Sequence, residues 1–321
     1  MGVRVSDDAG VLAAQAPAHP LRRWVWLRAL RRDRTAMLGL AILSVFAVAV
    51  VFGPLLAPHD PALAEPAQRF APPSAKHPLG TDHVGRDVAS RLLHGARLSL
   101  GSAVLAALAV AVLGLALGMA AGYFRGAADA VVSRAVDVLL AFPTLLLALA
   151  VVGALGPSLR NVLIAVVIAW WASYTRVVRG VTFSERERPY IESARALGAS
   201  AWRTMSRHLL PNIVAPIVVL TTLDMGTILL GISSLSFLGL GVEPGTPEWG
   251  AMLAEARTYM RRAPHLMFYP GAAIFLAVLG FNLLGDGLRD ILDPRTRGER
   301  GARPRAARRR SRRRADGKGR A

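Results

Sequence analysis

Six stretches of this chain, at about 36–57, 98–123, 138–155, 161–174, 213–240 and 267–284, are almost wholly apolar. A helix rises about 1.5 Å per residue, so some 20 apolar residues cover the roughly 30 Å hydrocarbon core of a bilayer. That medium offers no water to backbone N–H and C=O groups, and a single apolar segment satisfies its own only as a helix. The pattern predicts an all-α integral membrane protein with six transmembrane helices. The first run is too long for the core of a cleaved signal peptide and reads as an uncleaved anchor.

Charge sets the expected orientation. With the N-terminus inside, about 30 of the 39 lysines and arginines fall in inside segments and about 9 in outside ones, the asymmetry of the positive-inside rule. Both termini are expected in the cytoplasm, in a plasma membrane of bacterial type. The net charge of +18 lies at span ends and in the tail, which points to anionic membrane lipids as partners and not to nucleic acid. The expected organisation is a basic N-terminal segment (1–35), a first span (36–57), an external loop (58–97), a five-span core (98–292) with a cytoplasmic loop at 177–212, and a disordered basic tail (293–321). The tail carries RRRSRRR at 308–314 and almost no large apolar residue. With no cysteine, disulfides, thiolate nucleophiles and cysteine metal sites are excluded.

Within the spans ionisable groups are scarce. Asp224 alone lies deep in one, where it either lines a central path or bonds a neighbouring helix. Gly114, Gly118 and Gly122 repeat every four residues and put small residues on one helix face, as close helix packing in lipid requires. Pro143 and Pro216 should kink their spans. No phosphate loop, HExxH or GxSxG occurs, so no catalytic residue is assigned and the chain is not expected to be an enzyme. His77, Asp82, His83 and Asp87, in HPLGTDHVGRD, have metal-ligating chemistry. Their spacing matches no familiar site and Gly80 and Gly85 suggest turns, so no metal site is assigned.

One polar segment interrupts the pattern: YIESARALGASAWRTMSRHLLPN at 190–212. Pro189 suits a first helical turn and Pro211 should stop a helix already begun. Between them Ile191, Ala194, Gly198, Trp202, Met205 and Leu209 fall on one stripe, with Glu192, Arg195, Arg203 and Arg207 largely off it, which predicts an amphipathic surface helix. Gly198 marks a bend or a close approach. From composition alone, a helix lying flat on the membrane remains open.

Glu192-Ser193-Ala194, three residues, Gly198, nine residues and His208-Leu209-Leu210-Pro211 resemble the EAA loop of permease subunits of ABC importers. Ser193 and His208 depart from the EAA and I-x-L-P pattern. HPLGTDHVGRDVASRLLHGARLSLGS at 77–102, SFLGLG at 236–241, TPEWG at 246–250 and NLLGDGLRDILDPR at 282–295 are similar to the oligopeptide and dipeptide (nickel) branch, in the permease with an extra N-terminal span. The resemblance covers about residues 22–295.

The resemblance implies the type I ABC importer permease fold and half of a translocation pathway. A second, similar permease, two ABC ATPase subunits and an extracytoplasmic solute-binding protein would complete the importer. ATP and Mg would be bound by the ATPases, with no cofactor in this chain. Glu192, Ser193, Ala194, Arg195, Leu197, Gly198, His208 and Pro211 would form the coupling contact with an ATPase, and Asp224 would be a possible pathway residue. Peptide is the implied solute, with nickel complexes or other small solutes as the alternative within the fold. An ion-coupled secondary carrier is the alternative outside it; such a carrier predicts inverted repeats and midplane ionisable groups.

Overall fold

The computed structural model describes Arg31 and residues 33–292; most of the basic N-terminal segment and the whole tail expected at 293–321 lie outside them. The helices are α1 (Arg34–Leu56), α2 (Val88–Phe124), α3 (Gly126–Leu140), α4 (Thr144–Leu155), α5 (Leu159–Arg186), α6 (Pro189–Ala196), a short α7 (Ala201–Arg203), α8 (Leu210–Phe237), α9 (Trp249–Arg257) and α10 (His265–Leu292). A π-helical turn, Thr204–Leu209, joins α7 to α8. Five helical stretches are long and apolar enough to cross a membrane, or six if the bent pair α3–α4 counts as one.

The bundle is organised around α2 and α5, which run parallel along a glycine seam. A Cβ on Gly114 would meet the Cβ of Tyr174 at 2.4 Å, one on Gly118 that of Val178 at 2.7 Å, and one on Gly122 that of Thr182 at 2.7 Å. The partners are also four apart, so each hydrogen-for-methyl vacancy on α2 receives one side chain of α5. Bundle packing was the expected role of this repeat, and the seam fulfils it. Small residues serve the antiparallel pair α1–α10 in the same way: Gly39 faces the backbone of Gly280 and Leu284, and Gly287 faces Ala36.

Several expected boundaries shift. The polar segment around Arg125, Asp129 and Arg134, which separates the expected second and third spans, folds as α3 and meets α4 at 91°. Pro143, expected to kink a span, stands at the N-terminus of α4; having no N–H and a restricted preceding residue, it breaks the helix outright. Pro216 stays inside the helical α8. The expected fourth span extends to Arg186, and the second begins ten residues early, at Val88, where Asp87 accepts from the Ser90 amide. Between the last two expected spans lies the largely buried helix α9, capped by Glu248.

The seam yields a differential prediction. Gly118→Ala places a methyl against Val178 and the Thr175 carbonyl and should destabilise the chain by about 1–3 kcal/mol. Gly180→Ala, where nothing lies within 4 Å, should be neutral or slightly stabilising. Thermal melting of both variants in detergent measures the contrast; equal melting temperatures would show that the seam does not set the packing distance.

Candidate functional site

The segment 189–209 is two helices rather than the single one expected. Pro189 occupies the first turn of α6 as predicted, but the helix ends at Gly198, whose φ of +81° is a left-handed conformation. The Gly198 amide donates to the Arg195 carbonyl and the Ala199 amide to that of Ala194, the paired bonds of a glycine-terminated helix. Nothing lies within 4 Å of a Cβ at Gly198, so the bend, not a close approach within the chain, calls for glycine. Ser200 then caps a fresh start by accepting from the Arg203 amide.

Pro211 does not stop this second helix. The preceding π turn, in which the Leu210 amide reaches back to the Met205 carbonyl, absorbs the missing donor, and the helix runs from Ala201 to Phe237. The continuous apolar stripe is corrected accordingly. Ile191 and Leu209 are fully buried, whereas Trp202 is 75% exposed, because the reversal at Gly198 discards the helical phase.

Ile191 and Leu209 pack with Met119 and Tyr123 of α2, Val178 of α5, and Ile213 and Ile217 of α8 in a core of their own. The segment is thus wedged against three spans. Its other side carries exposed Glu192, Ser193 and Leu197, the last 88% exposed. Ala194 and Arg195 are half-buried and His208 is partly covered; the Arg195 guanidinium lies over the Tyr123 ring at 5.0 Å. The Tyr190 hydroxyl donates to Glu185 at 2.9 Å, and burial, then this carboxylate, pushes its pKa up.

Asp224 sits elsewhere. It is half-buried in α8, beside the Tyr174 hydroxyl of α5, which meets no partner at hydrogen-bonding geometry. An open, apolar cavity of about 600 Å³ lies between α8, α9 and α10, lined among others by Leu230, Ser233, Phe237, Leu253 and Phe275.

At the opposite end of α2 an ion network closes the bundle. Arg86 donates through Nε to Asp82 (2.7 Å) and through Nη2 to Glu255 of α9 (2.9 Å). Arg91, 2% exposed, joins the same two carboxylates. Burial pushes both acids up, but Arg91, Arg86 and backbone amides outweigh it and hold each below its ordinary value. Glu248 is fully buried and accepts from Gly250, Ala251 and Ser99. Arg86, Arg91, Glu248 and Glu255 went unassigned from sequence; arginine recurring after Asp82 and Asp87 was the available signal.

The four residues weighed as metal ligands separate into two groups, His59–His77–Asp87 and Asp82–His83–Glu255. His77 is bonded at both ring nitrogens, to Asp87 (3.0 Å) and Gln68 (2.7 Å), and the second oxygen of Asp87 caps α2. Asp82 and Glu255 are neutralised by the two arginines. These bonds engage His77, Asp87, Asp82 and Glu255, while His59 Nδ1 meets no hydrogen-bond partner; Gly80 and Gly85 form the expected turns at φ +77° and +89°.

A multi-helix apolar bundle, bent at one span and carrying a wedged polar segment at one end, has the architecture of a multi-pass membrane protein. Residues 114–298 match the family described as binding-protein-dependent transport system inner membrane component, and residues 23–73 match the N-terminal TM domain of oligopeptide transport permease C. The chain belongs to this family of transport permeases. It is 44% identical over 266 residues to the dipeptide transport system permease protein DppC of Alkalihalophilus pseudofirmus, covering 83% of this chain and 88% of that one. It is 46% identical over 274 residues to the glutathione transport system permease protein GsiD of Pectobacterium atrosepticum, covering 85% and 91%. The chain is a permease subunit of the C type in the peptide branch of ABC importers.

The ion network carries a pH dependence of known sign. A carboxyl whose folded pKa is depressed adds stability that is present above its unfolded pKa, about 4, and is lost as pH falls through the lower folded value. Hydrogen-exchange protection of residues 79–92, corrected for intrinsic rates, should therefore fall below about pH 4 while that of residues 103–118 persists. Arg91→Gln should remove that protection at neutral pH, with a loss of about 3–5 kcal/mol for a broken buried pair. Unchanged protection in this variant would mean that the network does not hold the cap.

Proposed function

We propose that this chain forms half of the translocation pathway of an ATP-driven importer for peptides, with residues 189–209 as its coupling segment. The single observation carrying this reading is the burial of Ile191 and Leu209 against α2, α5 and α8, beside an exposed outer side of Glu192, Ser193 and Leu197. A load applied to the outer side reaches three spans through packed side chains. Swinging a two-state equilibrium from 1:99 to 99:1 takes about 5.5 kcal/mol of differential stabilisation, which a loosely attached helix would transmit poorly. Exposed Leu197 and Trp202 supply apolar area for a protein contact, and Glu192 a charge.

The remaining parts follow. Two ATPase subunits bind ATP and Mg and dock beneath this permease and a second, similar one; a solute-binding protein delivers cargo from outside; this chain performs no chemistry. The names of the dipeptide and glutathione relatives support peptide as the solute. The cavity between α8, α9 and α10 and Asp224 are the candidate pathway features. Positive charge supports a cytoplasmic coupling segment with both termini on the same side. Reporter tags after Arg320 and within 184–188 should score cytoplasmic, and tags near Ser74 or Gly245 external; an external tail would overturn this orientation.

The coupling role is tested at two residues. Gly198→Val forces a β-branched residue into a left-handed backbone, while Gly198→Asn tolerates it. Glu192→Lys reverses an exposed charge. Gly198→Val and Glu192→Lys should insert normally yet lose at least about tenfold in ATP-dependent uptake and retain less ATPase on pull-down, the tenfold corresponding to about 1.4 kcal/mol at the contact. Gly198→Asn should stay near wild type. Wild-type uptake by the first two would reduce the segment to an interfacial helix.

A further inference from the structure

Three arginines converge where α2, α5 and α6 meet. The Arg125 guanidinium lies 4.0 Å from the Phe183 ring centroid, and those of Arg186 and Arg195 lie 5.6 and 5.0 Å from that of Tyr123. One carboxylate, Glu187, pairs with Arg125. Three acids of α3 and α5 are engaged elsewhere, Asp129 with Arg179, Asp137 with Arg176 and Glu185 with Arg188, and Glu192 of α6 is exposed. Four donor atoms, each shielded from solvent, meet no acceptor: Nε of Arg125, Nε and Nη1 of Arg186, and Nη2 of Arg195. The cluster retains two uncompensated positive charges and a surplus of N–H groups. Guanidinium groups so arranged match an anion with several oxygens.

We propose that Arg125, Arg186 and Arg195 form a site for the phosphate of an anionic phospholipid. Depth favours lipid over a soluble anion. Tyr123 and Phe124 end the apolar stretch of α2, and Phe124 and Phe183 remain exposed, as aromatic residues do at the level of headgroups. Basic pockets between helices at that level bind lipid phosphates. An acidic side chain of a docked ATPase is disfavoured by direction: Arg195 lies four residues from buried Ile191, on the inward side of α6, whereas Glu192 and Leu197 face out. A bound phosphate would tie the coupling segment to the ends of α2 and α5 and relieve the repulsion among the three guanidiniums.

Native mass spectrometry of the full chain in detergent, titrated with phosphatidylglycerol, tests the site. The first lipid should bind about thirtyfold more weakly to R186Q/R195Q than to wild type. R308Q/R309Q, which removes the same charge from the tail, should leave that first affinity unchanged. Phosphatidylcholine should not fill the site, and soluble glycerophosphoglycerol at equal concentration should not displace the lipid. Elution and thermal melting report on folding; should the double variant fail to fold, R186Q and R195Q singly should each weaken binding about fivefold. Unchanged lipid affinity in a folded variant, equal binding of phosphatidylcholine, or displacement by the soluble headgroup would each overturn the proposal. So would loss of ATPase capture by R186Q/R195Q with lipid affinity intact.

Discussion

The distance between α2 and α5 is the constraint on which the remaining structure depends. It is set by the absence of three side chains, at Gly114, Gly118 and Gly122, opposite Tyr174, Val178 and Thr182. In lipid no hydrophobic force drives two apolar helices together, so the gain must come from dispersion between closely fitted surfaces. Running the two helices parallel brings their C-terminal ends side by side. There Met119, Tyr123 and Val178 make a socket of fixed width, into which Ile191 and Leu209 insert. The seam that stabilises the bundle therefore also shapes the seat of the coupling segment.

The two ends of the bundle solve opposite problems. Around Asp82, Arg86, Arg91 and Glu255, two positive and two negative groups are buried together, and their bonds extend to the Gly245 amide. Such a network gives little net stability relative to apolar packing, but removing one member leaves an unpaired buried charge. It thereby fixes α9 against the start of α2 in one arrangement. At the other end charges are left over. A closed cap and an undercompensated base are consistent with one end that holds its shape and one that receives partners.

Apolar length and the glycine repeat made the helical class, most of the spans and the close-packing face of α2, though not which helix packs there, legible in the sequence, because these depend on local periodicity. What escaped depends on geometry between distant residues. Arg91 and Glu255 are 164 positions apart, and no local pattern announces their meeting. Helix α9 is short and mixed in character, so Glu248 reads as a surface acid until Ser99 and two amides are seen to surround it. At 190–212 Pro189, Gly198 and Pro211 were the right punctuation with one sign misjudged. A proline stops a helix only when its missing hydrogen bond cannot be redistributed, and the π turn before Pro211 redistributes it.

That turn has a consequence for transmission. Because α7, the π turn and α8 form one continuous helix from Ala201 to Phe237, Trp202 lies on the same helical rod as Asp224 and as Leu230, Ser233 and Phe237 of the apolar cavity. Gly198 is instead the point where rigidity is interrupted, between the outward-facing Glu192 on α6 and this rod. The two parts meet again through Ile191 and Leu209 in their shared core. A force on α6 thus reaches α2 and α8 by side-chain packing, while a force on Trp202 reaches α8 along the backbone. The geometry divides the segment into a seat and a lever joined at one left-handed residue, and the chemical identity of that residue decides whether the two move together.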